Sequence, residues 1–239
     1  LKTGSVVVTD PKGELTAITR RHRESLGRVV YLNPFYEDFE KATGLEYPDT
    51  SFNPIDFIEN NNKTRAQADI LARHLMVTDK QDSTSYFTDE GAELLSLFIT
   101  WLVRHEPPEH RNFEYLYSLL RQSPQDLMKW IDYAEDVLLR DDGFKFRDMR
   151  KDSAGQWAGA ISKAQLATKR YYPTSQLAEH TKKSGFNPDW LKTEDVTVYI
   201  LVPTEHVQTA APWLNMVIGL LGEAVGRAGK ARTVTFLMD

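Results

Sequence analysis

Ser5-Val6-Val7-Val8-Thr9, running directly into Asp10-Pro11-Lys12-Gly13-Glu14, decides the fold. Three consecutive valines make the near-continuous β-branched run of a strand covered on both faces, as in a parallel sheet. Pro11 and Gly13 then supply a turn. Residues 15–26 place Leu15, Ile18 and Leu26 among charges, which predicts a weakly amphipathic helix stopped by Gly27. Arg28 to Asn33 reads as a second short strand. Strand, helix and strand within about thirty residues form a βαβ unit with a right-handed crossover, so the expected class is α/β.

The same signal returns at the other end of the chain. Val196-Thr-Val-Tyr-Ile-Leu-Val202 is a buried-type strand closed by Pro203, residues 213–225 form an apolar helix ended by Gly226 and Gly229, and residues 233–238 form a closing buried strand. Asp239 follows at its carboxyl end, where α/β sheets hold their ligands.

Between these parts the strand signal disappears. Residues 65–76 carry Ala68, Leu71, Ala72 and Leu75 on one helical face. Residues 89–103 form a strong helix capped by Thr88, with Glu90 in its first turn. Pro107-Pro108 interrupts, residues 113–120 form the next helix, and Ser123 caps another that starts at Pro124, passes Leu127, Trp130 and Ile131, and stops or kinks before Asp141-Asp142-Gly143. A last helix covers residues 153–171, with Trp157, Ile161 and Leu166 as its core side. Prolines 34, 48 and 54, with Asn33 and Asn53, predict a long polar connection after the second strand. The expected organisation is a sheet domain in two parts, 1–58 and 186–239, with an all-α domain, 59–185, inserted between them.

Composition narrows the function classes. With 239 residues, 41% hydrophobic and 26% charged, the chain has the make-up of a globular protein able to bury a sizeable core. It has no cysteine, which excludes disulfides and thiolate metal sites, and its six histidines show no metal-ligand spacing. A net charge of −5 argues against a chain that coats nucleic acid over its whole surface. The most apolar stretch, residues 94–103, suits a buried core helix and falls short of the roughly 18 residues needed to cross a bilayer. No signal-type segment precedes the first strand, so a soluble chain is expected.

Taken in order, Ser5-Val-Val-Val-Thr-Asp-Pro-Lys-Gly-Glu-Leu15, Val30-Tyr-Leu-Asn-Pro34, Phe52-Asn-Pro-Ile-Asp56, Val196 to Pro203 and Thr233-Val-Thr-Phe-Leu-Met-Asp239 resemble the TraG/TraD-type coupling proteins of type IV secretion and conjugation over nearly the whole chain. The resemblance implies a RecA-like P-loop NTPase sheet with an inserted all-α domain, in a motor that hydrolyses ATP to feed relaxase-bound DNA or effector proteins into the secretion system. It also implies a homo-hexamer at the cytoplasmic face of the bacterial inner membrane, anchored by N-terminal helices and working with inner-membrane components of that system. The family's Gly-rich phosphate loop would precede Leu1 and its second acidic motif would continue beyond Asp239. These residues are therefore expected to be an excerpt, with an incomplete sheet, that neither binds ATP tightly nor hydrolyses it alone.

Asp239 is the candidate Mg²⁺ carboxylate, acting through water, and Asp10 and Glu14 are further catalytic candidates able to orient an attacking water. Lys12 and Gly13 are the candidate cofactor-binding residues, Lys12 by meeting phosphate. Without the resemblance, residues 10–14 read first as a charged turn, and the resemblance reverses that order. Phe52 to Asp56 reads as a packing hinge, with Phe52 and Ile55 as anchors. Two basic clusters are candidates for DNA or cargo: Arg20-Arg-His-Arg23, and Lys145, Arg147, Arg150 and Lys151, where Phe144 and Phe146 interleave with cations. A competing reading makes the chain a non-catalytic recognition module, and another places it in a DNA pump of the FtsK type, against which the long helical insertion weighs.

Overall fold

The computed structural model describes residues 4–76, 85–131, 136–227 and 233–238. In chain order the elements begin β1 (Ser5–Thr9), α1 (Glu14–Leu26), β2 (Arg28–Leu32), α2 (Tyr36–Thr43), α3 (Thr64–Leu75) and α4 (Ser85–His105). They continue with α5 (Phe113–Leu119), α6 (Pro124–Ile131), α7 (Arg140–Asp152), α8 (Ala154–Thr168) and α9 (Gln176–His180). The last are α10 (Trp190–Thr193), β3 (Val196–Ile200), α11 (Val207–Gly226) and β4 (Val234–Met238). The chain divides into two compact units: unit 1 holds Leu1–Phe52 and Lys183–Asp239, and unit 2 holds Asn53–Lys182.

Unit 1 is built on a parallel sheet whose order among the described residues is β2-β3-β1-β4. Val7 pairs with Val198 on one side and with Phe236 on the other, so β1 lies inside the sheet and its valines are buried, as their run predicts. Period-two alternation sends Val6, Val8, Tyr199 and Leu201 to one face, where they pack with Phe39 and Tyr47. Tyr31 stacks against Tyr47 at 5.1 Å and against Tyr199 at 5.9 Å on that face. β4 differs from the buried strand expected of it. It pairs with β1 alone among the described residues, and Leu237 and Met238 are exposed.

The helix α1 inverts its expected amphipathy. Leu15 and Ile18 face solvent, Ile18 at 79% exposure, while Thr16 and Arg23 are buried. Polar handles seat it: the Arg23 Nε donates to Thr197 Oγ1 at 2.6 Å and its Nη2 to the Gly4 carbonyl at 2.8 Å, and Thr19 Oγ1 lies 2.6 Å from the Tyr199 hydroxyl. Gly27 ends the helix as expected, with its amide on the Arg23 carbonyl, and passes so close to the next segment that a Cβ would lie 2.0 Å from the Asp195 carbonyl oxygen.

Part of the long connection expected after β2 is the helix α2. Its single fully buried side chain, Phe39, carries too little periodicity to signal a helix between prolines, and Gly44 in the left-handed region ends it. Likewise α11 begins at Val207 rather than Trp213. Pro212 lies within its second turn, where it forfeits one backbone bond without stopping the helix. The short helices α9 and α10 carry no sequence signal long enough to read.

Unit 2 contains no strand among the described residues, as expected. Its axis is α4, on which Leu94, Leu95, Leu97, Phe98, Ile99 and Leu102 are all buried, and α3, α6, α7 and α8 pack against it. The helix starts at Ser85, so Thr88 lies inside it rather than capping it. The break expected before Asp141 is present, and Asp141-Asp142-Gly143 opens a further helix, α7, that was not expected. The two carboxylates occupy the first turn, where the helix dipole favours them, and Gly143, Phe146 and Met149 are buried at i, i+3, i+6. Along α8, Trp157 is buried as expected, whereas Leu166 is exposed. Phe52 and Ile55 are both buried, and Asn53 caps a 3₁₀ turn by accepting from the Ile55 amide, so this motif packs as read.

Candidate functional site

The chain leaves β1 through α1 to reach β2, and leaves β3 through α11 to reach β4. In the order β2-β3-β1-β4 these two crossovers run in opposite directions, so the switch point falls between the carboxyl ends of β3 and β1. Asp10 follows β1 there, and Pro203, Thr204 and Glu205 lie just beyond β3.

Asp10 is 1% exposed. Its Oδ2 accepts from the Thr16 amide and from Thr16 Oγ1, both at 2.7 Å, and its own amide donates to the Ile200 carbonyl at 3.0 Å. The carboxylate thus satisfies an otherwise orphaned amide in the first turn of α1, and the Asp10 amide ties the loop to β3. Its Oδ1 is buried with no hydrogen-bond partner. Gly13, at φ 72° and buried, completes the turn: a Cβ there would come within 2.7 Å of Phe39, and the left-handed backbone itself favours glycine. Asp10 and Gly13 are therefore interior parts of the loop, and Lys12 and Glu14 are its exposed ones.

Those two exposed residues line a cleft of about 480 Å³ with Pro11, Ala17, Thr43, Thr204 and Glu205. Thr204 and Glu205 carried no signal in the sequence, because Pro203 read only as the end of a strand. The adjoining His206 stacks on Phe35 with ring centroids 4.3 Å apart, and its Nε2 lies 3.0 Å from Asp38 Oδ2, which fastens this wall to α2. The cleft offers an ammonium, two hydroxyls and two carboxylates. That donor set suits the outer shell of a hydrated cation beside phosphate, and it contains no run of glycine amides able to cradle a triphosphate. Asp239 lies outside the described residues.

In unit 2 the expected basic cluster separates. Lys145 turns toward α4, 2.8 Å from Glu90 and also paired with Glu93; burial pulls its pKa down, but the hydrogen bonds it donates to the two carboxylates hold it above the ordinary lysine value. Arg147, Arg150 and Lys151 instead line a groove of about 420 Å³ with Met128. Phe146 is core, while Phe144 packs under the Arg147 guanidinium at 4.7 Å. The other cluster separates as well: Arg23 is buried and Arg20 lies over the Tyr47 ring at 5.5 Å.

A parallel sheet with a switch-point cleft and helices beyond it is an architecture shared with solved structures. The plasmid coupling protein TrwB in complex with the ATP analogue ADPNP matches at a TM-score of 0.68 with 14% identity, over 99% of this chain and 50% of that one. TrwB in complex with ADP and Mg²⁺ matches at 0.66 with 14% identity, over 98% of this chain and 49% of that one. An unbound form of the bacterial conjugative coupling protein TrwBdeltaN70 matches at 0.67 with 14% identity, over 98% and 47%. The chain spans about half the length of these proteins, and its fold is the RecA-like P-loop NTPase fold. The profile of the family described as type IV secretory system conjugative DNA transfer matches residues 1–239, and the chain belongs to that family. No curated protein sequence matches it.

No helix among the described residues is long and apolar enough to cross a membrane.

Proposed function

We propose that this chain is the central part of an ATP-driven motor that moves relaxase-bound DNA, effector proteins, or both, with unit 1 contributing to the nucleotide site and unit 2 receiving cargo. The observation that carries the first half is the switch-point cleft, where Lys12 and Glu14 stand on a loop held rigid by the buried Asp10. Family membership and TrwB's complexes with ADPNP and with ADP and Mg²⁺ support the nucleotide assignment.

Bound ATP with Mg²⁺ would supply the phosphoryl chemistry. Lys12 would hold a positive charge toward phosphate, Glu14 would orient water, Asp239 would hold the Mg²⁺ through water, and Asp10 with Gly13 would position the loop. Tight nucleotide binding belongs to the longer protein, which works as a homo-hexamer on the inner face of the membrane with the secretion system's inner-membrane components. For unit 2, the groove of Arg147, Arg150 and Lys151 supports contact with DNA or with an acidic cargo surface. The long helical unit favours this reading over an FtsK-type pump.

The test is ATP turnover by the longer protein carrying Asp239→Ala or Glu14→Ala. Either variant is expected to lose 100-fold or more, on the order expected of a residue acting in the transition state. Undiminished turnover in both defeats the site assignment. Normal turnover combined with relaxase capture by the whole chain would leave the recognition-module reading standing.

A further inference from the structure

The basic residues late in α7 share one face of the helix. Arg147, Arg150 and Lys151 are spaced i, i+3, i+4, and with the half-buried Met128 of α6 they line an open groove of about 420 Å³. Arg147 and Lys151 are exposed, and Arg150 and Lys151 make no ion pair with a described residue. The dipole of α7 favours cations in its last turn, which accounts for their place but not for the apolar floor beside them.

The lining separates two kinds of anionic partner. Single-stranded nucleic acid is held by aromatic rings on which bases stack, set along a track of cations. This groove has no ring in its lining, and Phe144, on the same helix, lies under the Arg147 guanidinium at 4.7 Å. A duplex contact of the usual kind engages roughly 6–10 phosphates. The groove offers three cations, with the exposed carboxylates of Asp148 and Asp152 beside them on α7, and the chain's net charge of −5 repels a dense polyanion at long range.

A short acidic peptide meets the same lining on better terms. Arg147 and Lys151 are one turn apart, roughly 6 Å along the axis, close to the spacing of alternate side chains on an extended chain. Guanidinium groups take carboxylates through paired charge-assisted hydrogen bonds, and the pliable thioether of Met128 suits an apolar side chain between them.

We propose that this groove receives an acidic peptide segment of a partner protein, with its carboxylates on Arg147, Arg150 and Lys151 and an apolar side chain on Met128. The assignment rests on the reading of unit 2 as the receiver of cargo, and at this surface it selects protein over DNA.

The experiment is fluorescence anisotropy of the whole chain with a labelled peptide of Glu and Asp carrying a single Leu, alongside a single-stranded and a duplex oligonucleotide. Saturable peptide binding that weakens with salt is expected, and Arg150→Glu combined with Lys151→Glu should weaken it on the order of tenfold or more. The corresponding pair of glutamine substitutions serves the same comparison if the charge reversal disturbs folding. Replacing the peptide's Leu by Ser should cost a few-fold. No peptide binding, equal binding by the double variants, or an oligonucleotide bound more tightly than the peptide and released by the same substitutions would each overturn the proposal, the last by making the groove a nucleic-acid surface. Relaxase capture by the whole chain separates this assignment from the reading beneath it. Capture without peptide binding overturns the groove's role and leaves cargo reception standing, whereas peptide binding without capture supports the groove and removes relaxase as the cargo.

Discussion

The helices α1 and α4 are held by opposite means. Apolar side chains surround α4 on nearly every side, whereas α1 turns Leu15 and Ile18 to solvent and is fastened by Thr16, Thr19 and Arg23. Apolar burial is diffuse, so α4 can lose any one contact and keep its place. The attachments of α1 are few and directional, and the first of them, Thr16 to Asp10, belongs to the loop that presents Lys12 and Glu14 to the cleft. The seating of α1 and the shape of the cleft are thus one mechanical system.

Four measurements would break or sharpen this contrast. The largest effect is expected from Phe98→Ala, which opens a cavity beside the α4 axis and should destabilise unit 2 by about 3–5 kcal/mol in denaturant unfolding. Arg23→Met should follow at roughly 2–3 kcal/mol, since the Gly4 carbonyl and Thr197 Oγ1 lose a charged donor, with the loss appearing in unit 1. If it costs less than about 0.5 kcal/mol, α1 is not seated by its polar handles.

Next comes the polar anchor at the carboxyl end of α4, where Asp136 meets Arg104 and lies 2.9 Å from His105 Nε2. Burial favours the neutral acid, but hydrogen bonds from Arg104, the Leu138 amide and His105 prevail and hold the Asp136 pKa below its ordinary value. A lowered folded-state pKa gives stability that is present above the unfolded value of about 3.9 and is lost as the pH falls through the folded one. Unit 2 should therefore weaken in acid below about pH 4, and Asp136→Asn should flatten that part of the stability profile. An unchanged slope would show that other carboxylates carry the acid response. The smallest effect belongs to Ile18→Ser, expected within about 0.5 kcal/mol because the side chain already faces solvent. A loss as large as that of Phe98→Ala would mean that Ile18 is covered.

This contrast also explains what was legible in the sequence. Residues 5–9, 196–200 and 94–103 announce themselves because burial on all sides leaves runs that are mostly apolar, with only small hydroxyl residues among them, and from these the α/β class and the helical insertion follow. The pattern fails wherever polar groups do the packing. Arg23 reads as one member of a basic surface cluster, yet its guanidinium spans from α1 to β3 and the Gly4 carbonyl. At Asp141-Asp142-Gly143 the break was legible but the helix that these residues open was not, and the period of Phe146 and Met149 was the signal that could have shown it. Of the cleft, only the Asp10 to Glu14 wall was visible. Thr204 and Glu205 reach it through the strand order, which no local pattern encodes.

The opposed crossovers have an electrostatic consequence. Because every strand in the sheet is parallel, α1 and α11 both begin at the carboxyl edge, one on each side of the switch point. Each peptide dipole then adds to a partial positive charge of about half a unit at either helix start. The cleft walls carry Glu14 and Glu205, yet the backbone beneath them supplies a fixed positive field that no side-chain substitution removes. Topology thus supplies a constant part of the field at this edge, to which the side chains add their own charges.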